Sequence, residues 1–178
     1  MRWQEHDKIG EIIMKQGTKS ILFGCHSVVH SLLVIRAWKI LYHKWPKRWQ
    51  IGCIFLHDIG HVGLQYLDDY EAKKQHWRKG AEIAYRFYGD KGYLLVAGHD
   101  VHSRFIKSDL YKADKYSWHI APMWWLVWNN VVEPELMINC KSNIDACRKF
   151  KTSVKQSIES GEYISTHQMY LDRKSERS

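Results

Sequence analysis

The string His57-Asp58-Ile59-Gly60-His61 places an imidazole and a carboxylate side by side at the end of an apolar run, Ile51-Gly52-Cys53-Ile54-Phe55-Leu56. Adjacent His and Asp can both ligate one metal where the backbone ends a helix. His30 lies 27 positions before His57, in an amphipathic segment, and Asp114 lies 56 positions after Asp58, in Lys112-Ala113-Asp114-Lys115-Tyr116. Two imidazoles and two carboxylates suit Mn, Fe, Co, Ni or Zn better than Ca, with Mg a further option. Four such side chains leave positions on the ion open for water and substrate, the mark of a catalytic rather than a structural site. A carboxylate between Leu56 and Ile59 would be costly to bury unpaired, which also argues for a cation beside Asp58.

The elements that must carry these residues have helical periodicity. Ile9, Ile12 and Ile13 predict a short first helix, closed near Gly17. From about Ser27 the residues His30, Val34, Ala37 and Leu41 follow helical spacing until Trp45-Pro46. Residues 48 to 58 form a buried helix ending at His57-Asp58, and Gly60 and Gly63 make the turn after it. A charged helix is expected from about Asp69 to Tyr88, broken by Gly89-Asp90-Lys91-Gly92. Tyr93 to about His99 is another apolar segment. A helix near Lys107 to Trp118 carries Asp114. Pro122 opens a Trp-rich helix whose Trp124, Trp125 and Trp128 read as core, and a polar, basic helical region runs from Glu133 to about Ile158. No repeat, linker or alternating strand pattern is present, so the fold class is all-α. One domain spans residues 1–178, with a core over about 20–120, C-terminal helices over about 121–160 and a frayed tail over about 165–178.

Composition narrows the rest. Nine Trp and ten Tyr in 178 residues supply a large apolar payload, and only 3 Pro and 11 Gly favour long regular elements. A chain of this size buries about two-thirds or more of its unfolded surface without staples. Cys25, Cys53, Cys140 and Cys147 contain no Cys-x-x-Cys pair and read as buried thiols. No apolar run approaches the roughly 18 residues of a membrane span, and the N-terminus lacks the apolar stretch of a signal peptide. The expected location is the cytoplasm, with no membrane partner. The net charge of +8 is spread along the chain without regular aromatic interleaving, which favours a small anionic partner over a nucleic acid.

Taken in order, His30-Ser31-Leu32-Leu33-Val34, His57-Asp58 and Ala113-Asp114-Lys115 resemble the metal-dependent phosphohydrolases of the HD-domain superfamily. The resemblance covers about residues 20 to 120 and favours His30 over His26, one helical turn earlier, as the first ligand. It implies a compact HD-domain helical bundle with a C-terminal helical extension. Two further segments are similar to the family: His76-Trp77-Arg78-Lys79-Gly80-Ala81-Glu82-Ile83, and Gly98-His99, fifteen residues before Asp114. By that resemblance His76 and His99 hold a second ion or contact phosphate, giving one or two metals per chain. His61 corresponds to a general acid or base, and Arg78, Lys79, Arg104 and Lys115 are candidates to neutralise phosphate. His102 reads as a surface or supporting group. The implied reaction is hydrolysis of a P–O bond of a nucleotide, a dNTP or a nucleoside monophosphate first. The alternatives are a dinucleotide or cyclic-nucleotide phosphodiesterase, or a non-catalytic module binding nucleotide or nucleic acid. Asp58→Ala or His57→Ala should abolish metal binding while circular dichroism still reports an all-α chain; full metal content in either variant would remove the doublet from the ligand set.

Overall fold

The computed structural model describes residues 17–64, 70–133 and 142–161, and among them all regular structure is helical. The helix expected near Ile9–Ile13, Cys140 and the tail from 165 lie outside these residues. Helix α1 (Val28–Tyr42) is started by Ser27, whose Oγ accepts from the His30 N–H at 3.1 Å, a side-chain cap for an otherwise orphaned donor. Its buried stripe is His30, Ser31, Leu33, Val34, Ala37 and Trp38. It ends at His43 in the left-handed conformation, φ 55°. Helix α2 (Arg48–Leu56) begins with the Lys47 N–H donating to Gln50 Oε1 at 2.8 Å. A single 3₁₀ turn, Ile59–His61, follows the doublet.

The charged segment is not one helix. It divides into α3 (Tyr70–Lys74) and α4 (His76–Tyr88) at Gln75, whose φ is −107° and ψ 1°. The His76 ring supplies a physical reason: its Nδ1 bonds the Lys73 carbonyl at 2.6 Å, an acceptor that a continuous helix would pair with the Trp77 N–H. The expected Gly89–Gly92 break shrinks to Gly89 alone, at φ 65°, and α5 (Asp90–Ala97) starts at once. Helix α6 (Asp109–Ile120) starts two residues later than its predicted onset, after Ser108 in extended conformation. Helices α7 (Met123–Val132) and α8 (Asn143–Ser160) complete the chain; Ser142 Oγ caps α8 by accepting from the Asp145 N–H at 3.2 Å.

Two apolar clusters hold these helices. Val34, Trp38, Cys53, Ile54, Trp77, Ala81, Ala84, Leu95, Val96, Leu110 and Ala113 join α1, α2, α4, α5 and α6. Leu33, Ala121, Trp125, Leu126 and Cys147 join α1 to α7 and α8, with Trp118 packed against them. Of the three tryptophans of α7 only Trp125 is core; Trp124 and Trp128 are 63% and 57% exposed, because the helix turns one face inward and positions 124 and 128 share the other. Cys53 and Cys147 are buried as expected, and burial pushes the Cys53 thiol up to about 11; Cys25 is only partly buried. No described helix is long and apolar enough to cross a membrane.

The doublet is wedged against α4 by absent side chains. A Cβ on Gly80 would stand 2.2 Å from the Leu56 carbonyl oxygen, and one on Gly60 would stand 2.0 Å from that of His76. Both obstacles are backbone, so neither can rotate away. Gly80→Ala must therefore push α4 off the end of α2. A cost of about 1–3 kcal/mol is typical of such overpacking, and a fall of several degrees in the thermal midpoint is expected. An unchanged midpoint would show that the contact has slack.

Candidate metal centre

Four residues from three places in the chain converge below the surface: His30 near the start of α1, His57 and Asp58 after α2, and Asp114 in α6, all at least 94% buried. His30 Nε2 lies 3.1 Å from Asp114 Oδ1 and 3.7 Å from Asp58 Oδ2. His57 Nε2 lies 3.2 Å from Asp58 Oδ2 and 3.7 Å from Asp114 Oδ1. These four atoms can face one ion. Yet His57 Nε2 is buried with no hydrogen bond of acceptable direction. A buried polar atom left in that state is costly, and a cation between it and the two carboxylates would satisfy it. The residues present therefore fit a divalent metal.

Each imidazole is aimed from behind. His57 Nδ1 bonds the Ile54 carbonyl at 2.6 Å, His76 Nδ1 that of Lys73 at 2.6 Å, and His99 Nδ1 that of Val96 at 2.5 Å. A carbonyl only accepts, so Nδ1 carries the proton in all three rings and Nε2 faces the centre. In each case the acceptor lies three residues back, in the last turn of the preceding helix, where carbonyls lack their i+4 partners. His30 uses Ser117 instead. The Ser117 hydroxyl donates to the Asp114 carbonyl at 2.6 Å and so can accept from His30 Nδ1, 3.4 Å away. Trp118 stacks on the His30 ring at 4.6 Å and is itself packed by Trp125 and Phe150.

Asp58 faces two ways. Its Oδ2 meets His30 and His57, while its Oδ1 lies 3.1 Å from His76 Nε2 and 3.2 Å from His99 Nε2, which are 3.1 Å from each other. His61 completes another metal-capable trio with Asp58 and His76, its ring 4.2 Å from that of His76. Asp100 completes a third with His76 and His99, its Oδ2 3.3 Å from His76 Nδ1. His30, His57 and His99 are sealed, whereas His61 is partly exposed and the His76 side chain keeps 10% of its surface. The open side of the cluster is therefore the His61–His76 side.

The charges are strongly coupled. Burial works against ionisation of Asp58, but His57, His76 and His99 hold its carboxyl well below the usual range. Burial likewise opposes ionisation of Asp114, and Lys115, His30 and His57 outweigh it. Burial would lower the His57 imidazole, yet Asp58 and Asp114 push it up to about 10. Burial also opposes charge on His76, but its bond to Asp58 raises it, while burial lowers His99, whose neighbour His57 adds repulsion. Burial and then His76 hold His61 well below the ordinary histidine range.

All of the expected metal ligands, His30, His57, Asp58, His76, His99 and Asp114, come together with His61. The basic residues divide. Lys115 Nζ sits 2.8 Å from Asp114 Oδ2. Arg78, Lys79 and Arg104 are exposed and do not pair with the cluster's carboxylates; the Arg78 guanidinium lies over Trp77 at 5.7 Å, on the side of α4 turned from His76. His26 lies outside the ligand set, its two ring nitrogens buried without hydrogen-bond partners. His102 is exposed, and its N–H bonds Asp100 Oδ1 at 2.5 Å. Sequence reasoning missed Asp100, Ser117 and Trp118. A signal existed for the first: His99-Asp100 repeats the His-Asp doublet. Ser117 is one turn after Asp114, but only packing brings it behind His30.

No family model, curated protein or solved structure matches the chain.

In the metal-free protein the raised His57 imidazole is protonated at neutral pH, and it must lose that proton to ligate through Nε2. Metal uptake should therefore release protons, and apparent affinity should rise by roughly tenfold per pH unit up to about 10, where His57 is already neutral. Calorimetric titration of Mn²⁺ in two buffers of different ionisation enthalpy checks this; identical heats in both would contradict it.

Proposed function

We propose that the chain is a metal-dependent phosphohydrolase acting on a nucleotide, of the kind found in the HD-domain superfamily. The observation that carries this reading is Asp58, a buried carboxylate with one oxygen turned to His30 and His57 and the other to His76 and His99. A purely structural ion pair needs one partner; an anion surrounded by inward-facing Nε2 atoms on both sides suits cations bound at one or both. Two such positions sharing a bridging carboxylate are the arrangement that clamps a phosphoryl group in hydrolytic enzymes. A divalent ion there would lower the pKa of water and polarise a phosphoryl oxygen.

The chain's own residues supply the rest. His61, held neutral at physiological pH, can accept a proton from water or stand as a further ligand on the open side. Lys115, beside Asp114, is placed to spread negative charge from a phosphoryl group. Lys73, which acts electrostatically on His61, is a further candidate to neutralise phosphate on the open side. The sealed walls exclude bulk water and so strengthen every charge interaction inside.

A panel of dNTPs, NTPs, nucleoside monophosphates, dinucleoside polyphosphates and cyclic dinucleotides, each with Mn, Co, Fe and Mg and read by chromatography, should yield phosphate or pyrophosphate products for one group. Tight nucleotide binding without turnover under every metal would instead support a binding module. His61→Ala should keep metal content and nucleotide affinity while kcat falls by about a hundred- to ten-thousand-fold. Loss of metal in proportion to activity would make His61 a ligand.

A further inference from the structure

Asp100 has no part in the reading above, yet it is only 5% exposed. A buried carboxylate must be compensated. Its Oδ1 accepts two backbone N–H groups, His102 at 2.5 Å and Ser103 at 3.2 Å. Its carbonyl oxygen accepts the Ser103 hydroxyl at 2.9 Å and the Lys107 ammonium. The backbone and one carboxylate oxygen are thus locked, and the second oxygen is left pointing at His76 Nδ1, 3.3 Å away. Among the described residues His76 is its ion-pair partner. Lys107 bonds its carbonyl, not its carboxylate.

The position matters because of the charge on each half of the cluster. Around His30 and His57 stand two carboxylates, Asp114 and one side of Asp58. Around His76 and His99 stands only the other side of Asp58, already shared. A divalent cation there would lack a second anion within the ligand set. Asp100 stands directly behind His76 and can take part of its Nδ1–H bond, alongside the Lys73 carbonyl. A carboxylate behind a ligating imidazole fixes the ring and makes Nε2 a stronger donor.

We propose that Asp100 is a positioning residue for a second divalent cation held by Asp58 Oδ1, His76 Nε2 and His99 Nε2, orienting His76 through Nδ1 and supplying that half of the cluster with its missing negative charge. This rests on the two-cation reading of Asp58. The asymmetry follows: Asp100 governs the second ion and leaves the first untouched.

Asp100→Asn isolates the charge, because an amide oxygen can still accept the His102 and Ser103 N–H bonds. The full chain is titrated with Mn²⁺ by calorimetry, and magnetic coupling between the two ions is followed by electron paramagnetic resonance. The wild type should bind two Mn²⁺ with a coupled spectrum. The variant should keep the first affinity and the metal-free thermal midpoint, bind the second ion about 10- to 100-fold more weakly, and recover coupling at high Mn²⁺. Two ions at wild-type affinity in Asp100→Asn would overturn the proposal while leaving the two-cation reading intact. Equal weakening of both ions would overturn it in favour of general support, and a second ion lost even at millimolar Mn²⁺ would make Asp100 a ligand. One ion only in the wild type would remove the two-cation reading itself. If Asp100→Asn does not fold, Ser103→Ala loosens the same loop; it should weaken the second ion several-fold with the first unchanged, and no difference between the two ions would count against Asp100.

Discussion

A carboxylate taken out of water must be compensated, and Asp58 is the point where this chain meets that requirement. It is 6% exposed and has imidazole nitrogens within 3.7 Å of both oxygens. Those rings come from α1, the end of α2, the start of α4 and the turn after α5. Four segments must therefore meet at one carboxylate, and the helix arrangement can be read as the solution to that problem. The second buried acid, Asp114, brings α6 to the same place, with Lys115 absorbing part of its charge.

The rings are held by helix-end backbone. Helix ends leave carbonyls without their i+4 partners, and His57, His76 and His99 each bond one in the last turn of the helix just before them. One device thus completes the backbone and turns Nε2 inward. Close approach is needed for these ends to meet, and Gly60 and Gly80 permit it, since either Cβ would collide with a carbonyl oxygen. The same contact puts His61 over His76 and leaves that side of the cluster open.

The C-terminal helices act on the site at one remove. Trp118 lies between the His30 ring and a layer made of Trp125 and Phe150. The aromatic layer thus braces one imidazole from the side away from the carboxylates. Ser117, the preceding residue, links His30 to the Asp114 carbonyl. The second apolar cluster stabilises the fold and also keeps the His30 ring in place.

The all-α class, the order of most helices and His30, His57, Asp58 and Asp114 as candidates to hold a cation were legible in the chain alone, because helical periodicity and the chemistry of imidazole and carboxylate are local properties; His76 and His99 were drawn in by the resemblance, and the structure brings all six together. The extent of individual helices was less so. The split at Gln75 depends on where one ring nitrogen finds its acceptor, and the inward face of the Trp-rich helix on which neighbour it meets. The roles of the basic residues were not legible: Arg78 and Lys79 adjoin His76 in sequence, but the helix turns Arg78 onto Trp77, while Lys115 reaches Asp114. Asp100, Ser117 and Trp118 entered only with the tertiary structure. Residue type and spacing determined which groups can bind a cation. Packing decided which oxygen of Asp58 each imidazole faces and what stands behind it, because those distances depend on segments far apart in the chain.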